Sequence, residues 1–259
     1  MSTPPAPFSN IETLEFETDA GLGRLARIGL IILQTDQTIE QEFRQLVPDD
    51  GIALYHARIP NMMEVSPKNL RQMQNDLPET AKLLPPSFEF NAVGFACTSG
   101  ATMIGEDLVD QMIRSIHPQT KTSNPITACK AALKALGLRR MALVTPYPPQ
   151  VTLEMQANLR LAGFDIIAMR SFNQSDDFTV ARISSASILK AILAVGAREE
   201  VDGVFVSCTS LRALEIIPEA EVRIGKPVIS SNQALAWHLL RLAEQTNQNP
   251  GFGRLFSTA

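Results

Sequence analysis

The chain has 259 residues, of which 45% are hydrophobic and 19% are charged, a composition typical of a soluble globular protein with room for two lobes. Its formal net charge of -4 argues against a nucleic-acid partner, and no apolar run approaches the roughly 18 residues that a membrane span needs. Three widely spaced cysteines favour reduced thiols in the cytoplasm over a disulfide framework. Residues 1–10 lack the charged and apolar regions of a signal peptide, so we expect a disordered lead-in there.

Short apolar runs alternate with helical patterns, which is typical of an α/β fold with parallel sheets. In the first half, the pattern predicts strands at residues 28–33, 52–59 and 92–97. It predicts helices from about Thr38 and at residues 67–84, 103–116 and 125–136. In the second half, it predicts strands at residues 140–145, 164–169, 203–208 and 226–230. The helices predicted there cover residues 149–161, 185–195 and 233–245.

The second half repeats the first. Residues 93–99 and 204–210 each end in Cys-Thr-Ser, and their cysteines, Cys97 and Cys208, lie 111 residues apart. Arg27 and Arg140, which open similar apolar runs, lie 113 residues apart. The repeat predicts two pseudo-symmetric Rossmann-like lobes, each with a parallel four-stranded sheet flanked by helices. We expect residues 1–124 plus 232–259 to form the first lobe and residues 125–231 to form the second.

Each Cys-Thr-Ser follows a buried strand and is expected to precede a helix. In open α/β sheets this edge binds ligands, and a helix N-terminus there lowers a thiol pKa. Either cysteine alone would fit a small buried hydrophobe, but the duplicated context favours a functional pair. Cys129 sits inside a predicted helix with no counterpart, so we assign it to the core. The hydroxyl donors expected beside the two thiols are those of Thr98, Ser99, Thr209 and Ser210.

Four motifs together resemble the aspartate/glutamate racemase superfamily, in the branch that holds maleate cis-trans isomerase, arylmalonate decarboxylase and the ectoine-utilisation protein EutA. The motifs are residues 96–99, 207–210, 145–147 and 227–234, and residues 34–43 are most similar to the EutA-type proteins. The resemblance runs from Arg27 to near the end of the chain. It implies a homo-oligomer, dimeric or tetrameric, that works with no metal and no organic cofactor, and it suggests a role in ectoine or hydroxyectoine breakdown.

The resemblance also implies roles for particular residues. Cys97 and Cys208 match the two catalytic cysteines of the family, of which arylmalonate decarboxylase keeps only the second. Tyr147 matches a pocket tyrosine of the isomerases. Two pocket asparagines of maleate isomerase are replaced, one by Asp36 and the other by Asp177 or its neighbour, and this leaves the substrate open.

Some of these positions have a simpler interpretation. Asp36 stands near a helix start and suits a helix cap, as do the residues around Ser231 before the last helix. A cap at Ser231 would still point donors at the same sheet edge, so it remains a candidate substrate-binding residue. The two Asp side chains would also fit capping roles or a pairing with Arg182.

The sequence therefore favours a cofactor-independent isomerase or racemase that acts on a small carboxylate or amino acid. Maleate cis-trans isomerisation and arylmalonate-type decarboxylation remain open, and a protein that only binds a small metabolite is the alternative outside catalysis. A two-thiol mechanism predicts that the sulfurs of Cys97 and Cys208 face one cleft, roughly 7–9 Å apart, with room for one carbon centre between them.

Overall fold

A computed structural model describes residues 11–246 and 248–258. The expected lead-in at residues 1–10 lies outside the described residues. The described residues of the first half form four strands and six helices: β1 (Ala26–Leu33), α1 (Ile39–Leu46), β2 (Ile52–Ile59), α2 (Pro67–Gln72), α3 (Leu77–Ala81), β3 (Ala92–Ala96), α4 (Thr98–Ile104), α5 (Glu106–Arg114), β4 (Lys121–Ser123) and α6 (Pro125–Ala135).

The second half follows the same alternation. Its elements are β5 (Arg140–Thr145), α7 (Pro149–Leu161), β6 (Asp165–Ser171), α8 (Asp177–Val180), α9 (Ser185–Gly196), β7 (Gly203–Val206), α10 (Ile217–Ile224), β8 (Val228–Ser230) and α11 (Ser231–Leu242). Short 3-10 turns cover Met73–Asn75, Leu214–Ile216, Pro250–Phe252 and Arg254–Ser257.

The two sheets have the same strand order, which confirms the predicted fold class. The orders are β2-β1-β3-β4 and β6-β5-β7-β8, and all neighbouring strands are parallel. Gly29 is paired with Val93 in the first sheet, and Ala142 is paired with Val204 in the second. These pairs are related by the offsets of 113 and 111 residues that the sequence repeat gives, so the repeat holds at the level of single residues.

Most of these strands could be predicted from the sequence because they are buried. The central strands β3 and β7 are buried along their whole length, and β1 and β5 nearly so. Strands covered by helices on both faces read as continuous apolar runs. The outer strand β4 was not predicted, because its three residues, Lys-Thr-Ser, carry no apolar signal.

Two of the predicted helices are divided in the structure, and two further helices were not predicted. The helix predicted at residues 67–84 is divided into α2, a 3-10 turn and α3, because Pro78 cannot donate the hydrogen bond that a continuous helix needs. The helix predicted at residues 103–116 is two helices that meet at Gly105, whose φ of 101° is in the region that favours glycine. Helices α8 and α10 were not predicted.

The last helix packs against elements of both halves, namely α1, α6, β3, β4 and β8. It begins with a capping box in which Ser230 and Gln233 satisfy each other's backbone N–H groups. No helix in the described part of the chain is long and apolar enough to cross a membrane.

The close contact between β3 and α11 provides a test of this packing. A Cβ atom at Gly94 would lie 2.9 Å from Leu239 Cδ1 and 3.1 Å from Leu30 Cδ1. We therefore expect Gly94→Val to lower the free energy of unfolding by about 1–3 kcal/mol, measured by urea denaturation. Val222→Ala, at a position that is 83% exposed, serves as the control and should change it by less than about 0.5 kcal/mol. A Gly94→Val protein as stable as the control would contradict the packing described here.

Candidate active site

Cys97 lies at the junction of β3 and α4. It is the N-cap residue of α4, and its Sγ accepts a hydrogen bond from the backbone N–H of Gly100 at 3.2 Å. The hydroxyl of Ser99 lies 3.7 Å from the same sulfur. A Cβ at Gly100 would lie 2.9 Å from Cys97 Sγ and 2.7 Å from Met73 Cε, so a side chain there would displace the thiol.

Cys208 has a different setting, which corrects the expectation that a helix follows it. Residues 209–213 form an irregular loop, and the 3-10 turn that leads into α10 begins only at Leu214. The backbone of Cys208 has φ of 124°, a value that non-glycine residues rarely adopt. Its N–H donates to Ser231 Oγ at 3.0 Å, and that hydroxyl is also hydrogen-bonded to Thr98 Oγ1 at 2.8 Å. Ser231 therefore joins the segments that carry the two cysteines.

Both thiols line one cleft between the two sheets. Eight of the ten residues proposed from the sequence line it: Cys97, Thr98, Ser99, Tyr147, Asp177, Cys208, Thr209 and Ser210. Asp36 and Ser231 are not among its lining residues. All three cysteines are free and buried, and Cys129 is completely enclosed, as the core assignment expects.

Part of the cleft lining comes from a segment that was not predicted from the sequence to belong to the site. The segment runs from the end of β2 to the first residue of the first 3-10 turn, residues 61–73. It contributes Asn61, Met62, Glu64, Val65, Asn69, Leu70 and Met73 to the lining of the cleft. Val65 N–H donates to the Ser175 carbonyl at 2.7 Å, and Asp177 N–H donates to the Met63 carbonyl at 3.0 Å. The available signal was position alone, since this segment follows β2 at the ligand-binding edge of the first sheet.

Asp177 faces the cleft and is held in place by hydroxyl groups. Ser210 Oγ donates to its Oδ1 at 3.2 Å, and Thr35 Oγ1 donates to its Oδ2. Thr35 Oγ1 in turn accepts a hydrogen bond from Asn61 at 2.9 Å, which orients the Thr35 hydroxyl toward the carboxylate. Burial raises the pKa of Asp177, and the nearby Asp36 adds to the shift.

Asp36 makes the contacts that a helix cap requires. Its Oδ1 accepts hydrogen bonds from the N–H groups of Thr38 at 2.8 Å and Ile39 at 2.9 Å, so it caps the start of α1. A helix start leaves backbone N–H groups unpaired, and a short carboxylate beside them satisfies two at once. Asp176 caps α8 through Thr179 in the same way, and Arg182 bonds to Gln37 and Phe178 rather than to either Asp.

Tyr147 lies in the cleft wall next to Cys208. Its ring is 2% exposed, and its hydroxyl accepts a hydrogen bond from Ser207 Oγ at 3.4 Å. Burial raises the pKa of the phenol, and the proximity of Cys208 raises it further, so Tyr147 is a neutral hydroxyl beside the second thiol.

Comparison with known proteins agrees with this arrangement. The sequence profile of the arylmalonate decarboxylase family matches residues 28–256. The chain belongs to this family.

Individual relatives differ in how much they share. The arylmalonate decarboxylase of Bordetella bronchiseptica is 37% identical over 132 residues, which are 50% of this chain and 55% of that protein, so the match spans about half of its length. The maleate isomerase of Nocardia farcinica is 28% identical over 242 residues, 89% of this chain and 95% of that protein.

Solved structures of the family have the same fold. One of them is a cysteine-to-serine mutant of the Nocardia farcinica maleate cis-trans isomerase with a covalently bound succinylcysteine intermediate. It superposes with a TM-score of 0.79 at 26% identity and covers 90% of this chain and 98% of its own.

The two cleft thiols have higher pKa values than the sequence suggested. Burial raises the pKa of Cys97 to about 12, although the hydrogen bonds from Gly100 and Ser99 oppose the shift. Burial also raises the pKa of Cys208, and Asp177 raises it further. The expectation of a lowered thiol pKa was wrong because loss of hydration outweighs the few N–H donors at each sulfur. In the free protein both residues are neutral thiols.

Glu42 is a further buried carboxyl that sequence reasoning did not single out as a site residue. Its Oε1 accepts hydrogen bonds from the N–H groups of Ala213 at 3.1 Å and Leu214 at 3.0 Å, and its Oε2 accepts one from Asn232 Nδ2 at 2.8 Å. Burial raises the pKa of Glu42 to about 7, and the charge of Asp36 adds to the shift. The sequence shows only an acidic residue in the first turn of α1, which is common in helices.

This raised pKa predicts a pH dependence of stability. From its ordinary value of 4.5 up to about 7, the folded chain binds more protons at Glu42 than the unfolded chain does. The stability that Glu42 contributes is therefore complete below pH 4.5 and is lost as the pH rises through about 7. Urea denaturation should show that the free energy of unfolding of the natural protein, minus that of Glu42→Gln, becomes smaller between about pH 5 and 8. A constant or growing difference would contradict the assignment.

In the described residues, no group of three or more His, Cys, Asp or Glu side chains is arranged to hold a metal ion.

Proposed function

We propose that this chain is a cofactor-independent isomerase or racemase for a small carboxylate or amino acid, with Cys97 and Cys208 as its catalytic pair. The observation that carries the proposal is that both buried thiols, one from each half of the repeat, line the same cleft. The family relatives support the chemistry, since one of them is a maleate cis-trans isomerase mutant with a covalent succinylcysteine.

The geometry accommodates two versions of the reaction. In racemisation, the sulfur on one face removes the α-proton, the carboxylate holds the resulting charge, and the thiol on the other face returns a proton. In cis-trans isomerisation, the S–H bond of Cys97 breaks as its sulfur adds to one alkene carbon, and one proton is delivered to the other carbon, so that the net step is addition of S–H across the double bond. The carbon–carbon double bond has then become a single bond. Rotation about this carbon–carbon bond, followed by reversal of both steps, gives the other isomer. Cys208 and Tyr147 are the proton donors available in the cleft wall.

The neutral thiols mean that substrate binding must help to ionise one of them. Hydroxyl groups beside the sulfurs provide donors for the charge that develops on the substrate carboxylate. Ser99 and Thr209 supply such hydroxyls at the cleft, whereas the Ser210 hydroxyl donates to Asp177 and the Thr98 hydroxyl is bonded to Ser231.

Decarboxylation of a malonate-type acid is the second candidate, because the Bordetella bronchiseptica relative is an arylmalonate decarboxylase. It would use Cys208 to protonate the carbanion and would leave Cys97 without a role. Two thiols in one cleft favour the isomerase. A protein that only binds a metabolite would need neither thiol.

Other parts of the proposal rest on the sequence alone: on its resemblance to relatives for the pathway and the oligomer, on its widely spaced cysteines for the compartment, and on its internal repeat for the lobes. The similarity of residues 34–43 to EutA-type proteins supports a role in ectoine or hydroxyectoine breakdown. We also propose a cytoplasmic homo-oligomer. For the lobes we propose a first unit of residues 1–124 and 232–259 and a second unit of residues 125–231.

Serine substitution tests the catalytic pair. We expect Cys97→Ser and Cys208→Ser each to lower turnover by about 10²–10⁴-fold with the fold intact, because a serine hydroxyl is a much weaker acid than a thiol. Turnover is followed by proton NMR in D₂O, which separates α-deuteration, alkene isomerisation and loss of CO₂. Cys129→Ser is the matched control and should keep near-natural activity. Equal losses in all three variants would show that the thiols matter only for folding.

The charges of the residues that line the cleft limit the class of substrate that it can bind. Among the described lining residues, Glu64 and Asp177 are acidic, and none is a Lys, Arg or His. Ionised Asp accepts hydrogen bonds and repels a nearby carboxylate, whereas an ammonium group would pair with it. Burial is the main cause of the raised pKa of both thiols, and an ammonium group would offset the smaller contribution of the Asp177 and Asp36 charges. We therefore propose that an amino or diamino acid is a better substrate than maleate.

Asp177→Asn tests this preference. We expect the natural protein to turn over maleate poorly and to exchange the α-proton of diamino acids more efficiently. Asp177→Asn should raise maleate turnover and lower amine exchange, each by at least about tenfold, because it replaces a repelling carboxylate with an NH₂ donor. Asp176→Asn makes the same charge change outside the cleft lining and should leave the preference unaltered. Efficient maleate turnover by the natural protein would contradict the proposed preference and leave the two-cysteine proposal standing.

A further inference from the structure

The two cysteines are supported in different ways. Cys97 is the N-cap of α4, so the residues after it are fixed by the hydrogen bonds of a helix. After Cys208, residues 209–213 have no such ladder, and Cys208 itself has φ of 124°. A non-glycine residue keeps such a conformation only where its surroundings impose it. Something outside the second sheet must therefore hold this loop.

We propose that Glu42 is a positioning residue that fixes the orientation of the Cys208 thiol from the opposite half of the chain. The inference rests on the proposed catalytic role of Cys208. Glu42 does not line the catalytic cleft, so it acts through the loop and not on the substrate.

The contacts of Glu42 reach both ends of the loop. At the far end, its Oε1 accepts hydrogen bonds from the N–H groups of Ala213 and Leu214, which are almost completely buried. At the near end, its Oε2 accepts a hydrogen bond from Asn232 Nδ2, and the same amide nitrogen donates to the Thr209 carbonyl at 2.8 Å. One carboxyl group thus sets the distance between the residue after Cys208 and the start of the following 3-10 turn.

Neighbouring bonds reinforce this support. Thr38, one turn before Glu42, donates through Oγ1 to the Ser210 carbonyl at 2.9 Å. Ser231, next to Asn232, accepts the N–H of Cys208 itself. The start of α1 and the start of α11 therefore hold the loop from two sides, and Glu42 is the group that both sides share.

Glu42→Gln is the sharpest variant because it keeps the length of the side chain. Its oxygen can still accept the N–H groups of Ala213 and Leu214, but its NH₂ group would face the NH₂ group of Asn232, and two donors cannot pair. Leaving buried polar groups unpaired loosens the contact. The bond from Asn232 to Thr209 should be lost with it, while α4 keeps Cys97 in place.

The three cysteines allow the effect to be measured site by site. In the full-length protein, alkylation by iodoacetamide is followed at each thiol by peptide mass spectrometry, independently of any turnover assay. We expect Glu42→Gln to raise the alkylation rate of Cys208 by at least about tenfold, because a loosened loop hydrates the thiol and lowers its pKa. The alkylation rate of Cys97 should change by less than about twofold, and Cys129 should remain protected, which excludes general unfolding.

Turnover by Glu42→Gln should fall about 10–100-fold in kcat with little change in KM, since the groups that bind the substrate are retained.

Glu221→Gln is the matched control. Glu221 is also buried and accepts backbone N–H groups, from Val228 at 3.0 Å and Arg254 at 2.9 Å, but it does not touch the Cys208 loop. It should leave the ratio of Cys208 to Cys97 alkylation unchanged. If Glu42→Gln does not fold, Asn232→Ala removes the bonds to Thr209 and to Glu42 Oε2 but leaves the N–H bonds of Ala213 and Leu214 to Glu42 Oε1, and it should shift the same ratio in the same direction.

An unchanged ratio in a folded Glu42→Gln protein, or equal changes at Cys97 and Cys208, would overturn the inference. A shifted alkylation ratio without any turnover that depends on the cysteines would instead confirm the positioning and refute the proposed isomerase.

Discussion

The Ser231 hydroxyl is the contact on which the geometry of the site depends. It accepts the N–H of Cys208 and is hydrogen-bonded to Thr98, the residue after Cys97. The two sheets do not share a strand, so no strand pairing fixes one cysteine segment relative to the other. Ser231 is completely buried and stands at the start of α11, where the helix leaves β8 and packs against β3. The last helix therefore aligns the two halves of the active site.

Much of the fold could be predicted because it rests on local patterns. The central strands are buried on both faces, and their apolar runs and Cys-Thr-Ser ends appear twice with nearly constant spacing. The same spacing reappears in the pairing of Gly29 with Val93 and of Ala142 with Val204. Eight of the ten proposed site residues line the cleft for the same reason, since parallel strands deliver the residues at their carboxyl ends to one edge. Residues 61–73 were not predicted to line the cleft, because no repeated motif marks them, although a helix was predicted from residue 67.

The remaining differences come from interactions between the two halves, which one sequence does not display. The shared tripeptide suggested that both cysteines precede helices, yet only Cys97 does, and the Cys208 loop depends on the distant Glu42. Burial also reversed the expected direction of the thiol pKa shifts. Asp36 was proposed as a pocket residue from the resemblance to maleate isomerases, and in the structure one of its carboxylate oxygens binds the N–H groups at the start of α1.

The central claim is that Cys97 and Cys208 act on one substrate from opposite sides. A crystal structure of the natural protein with a non-reacting substrate analogue tests it most directly, through the distance between the two sulfurs. A two-cysteine mechanism predicts that the sulfurs of Cys97 and Cys208 lie roughly 7–9 Å apart. One carbon centre of the ligand should lie between them, at about 3–3.5 Å from each sulfur. A ligand that contacts only one sulfur, or sulfurs that open into separate cavities, would contradict it.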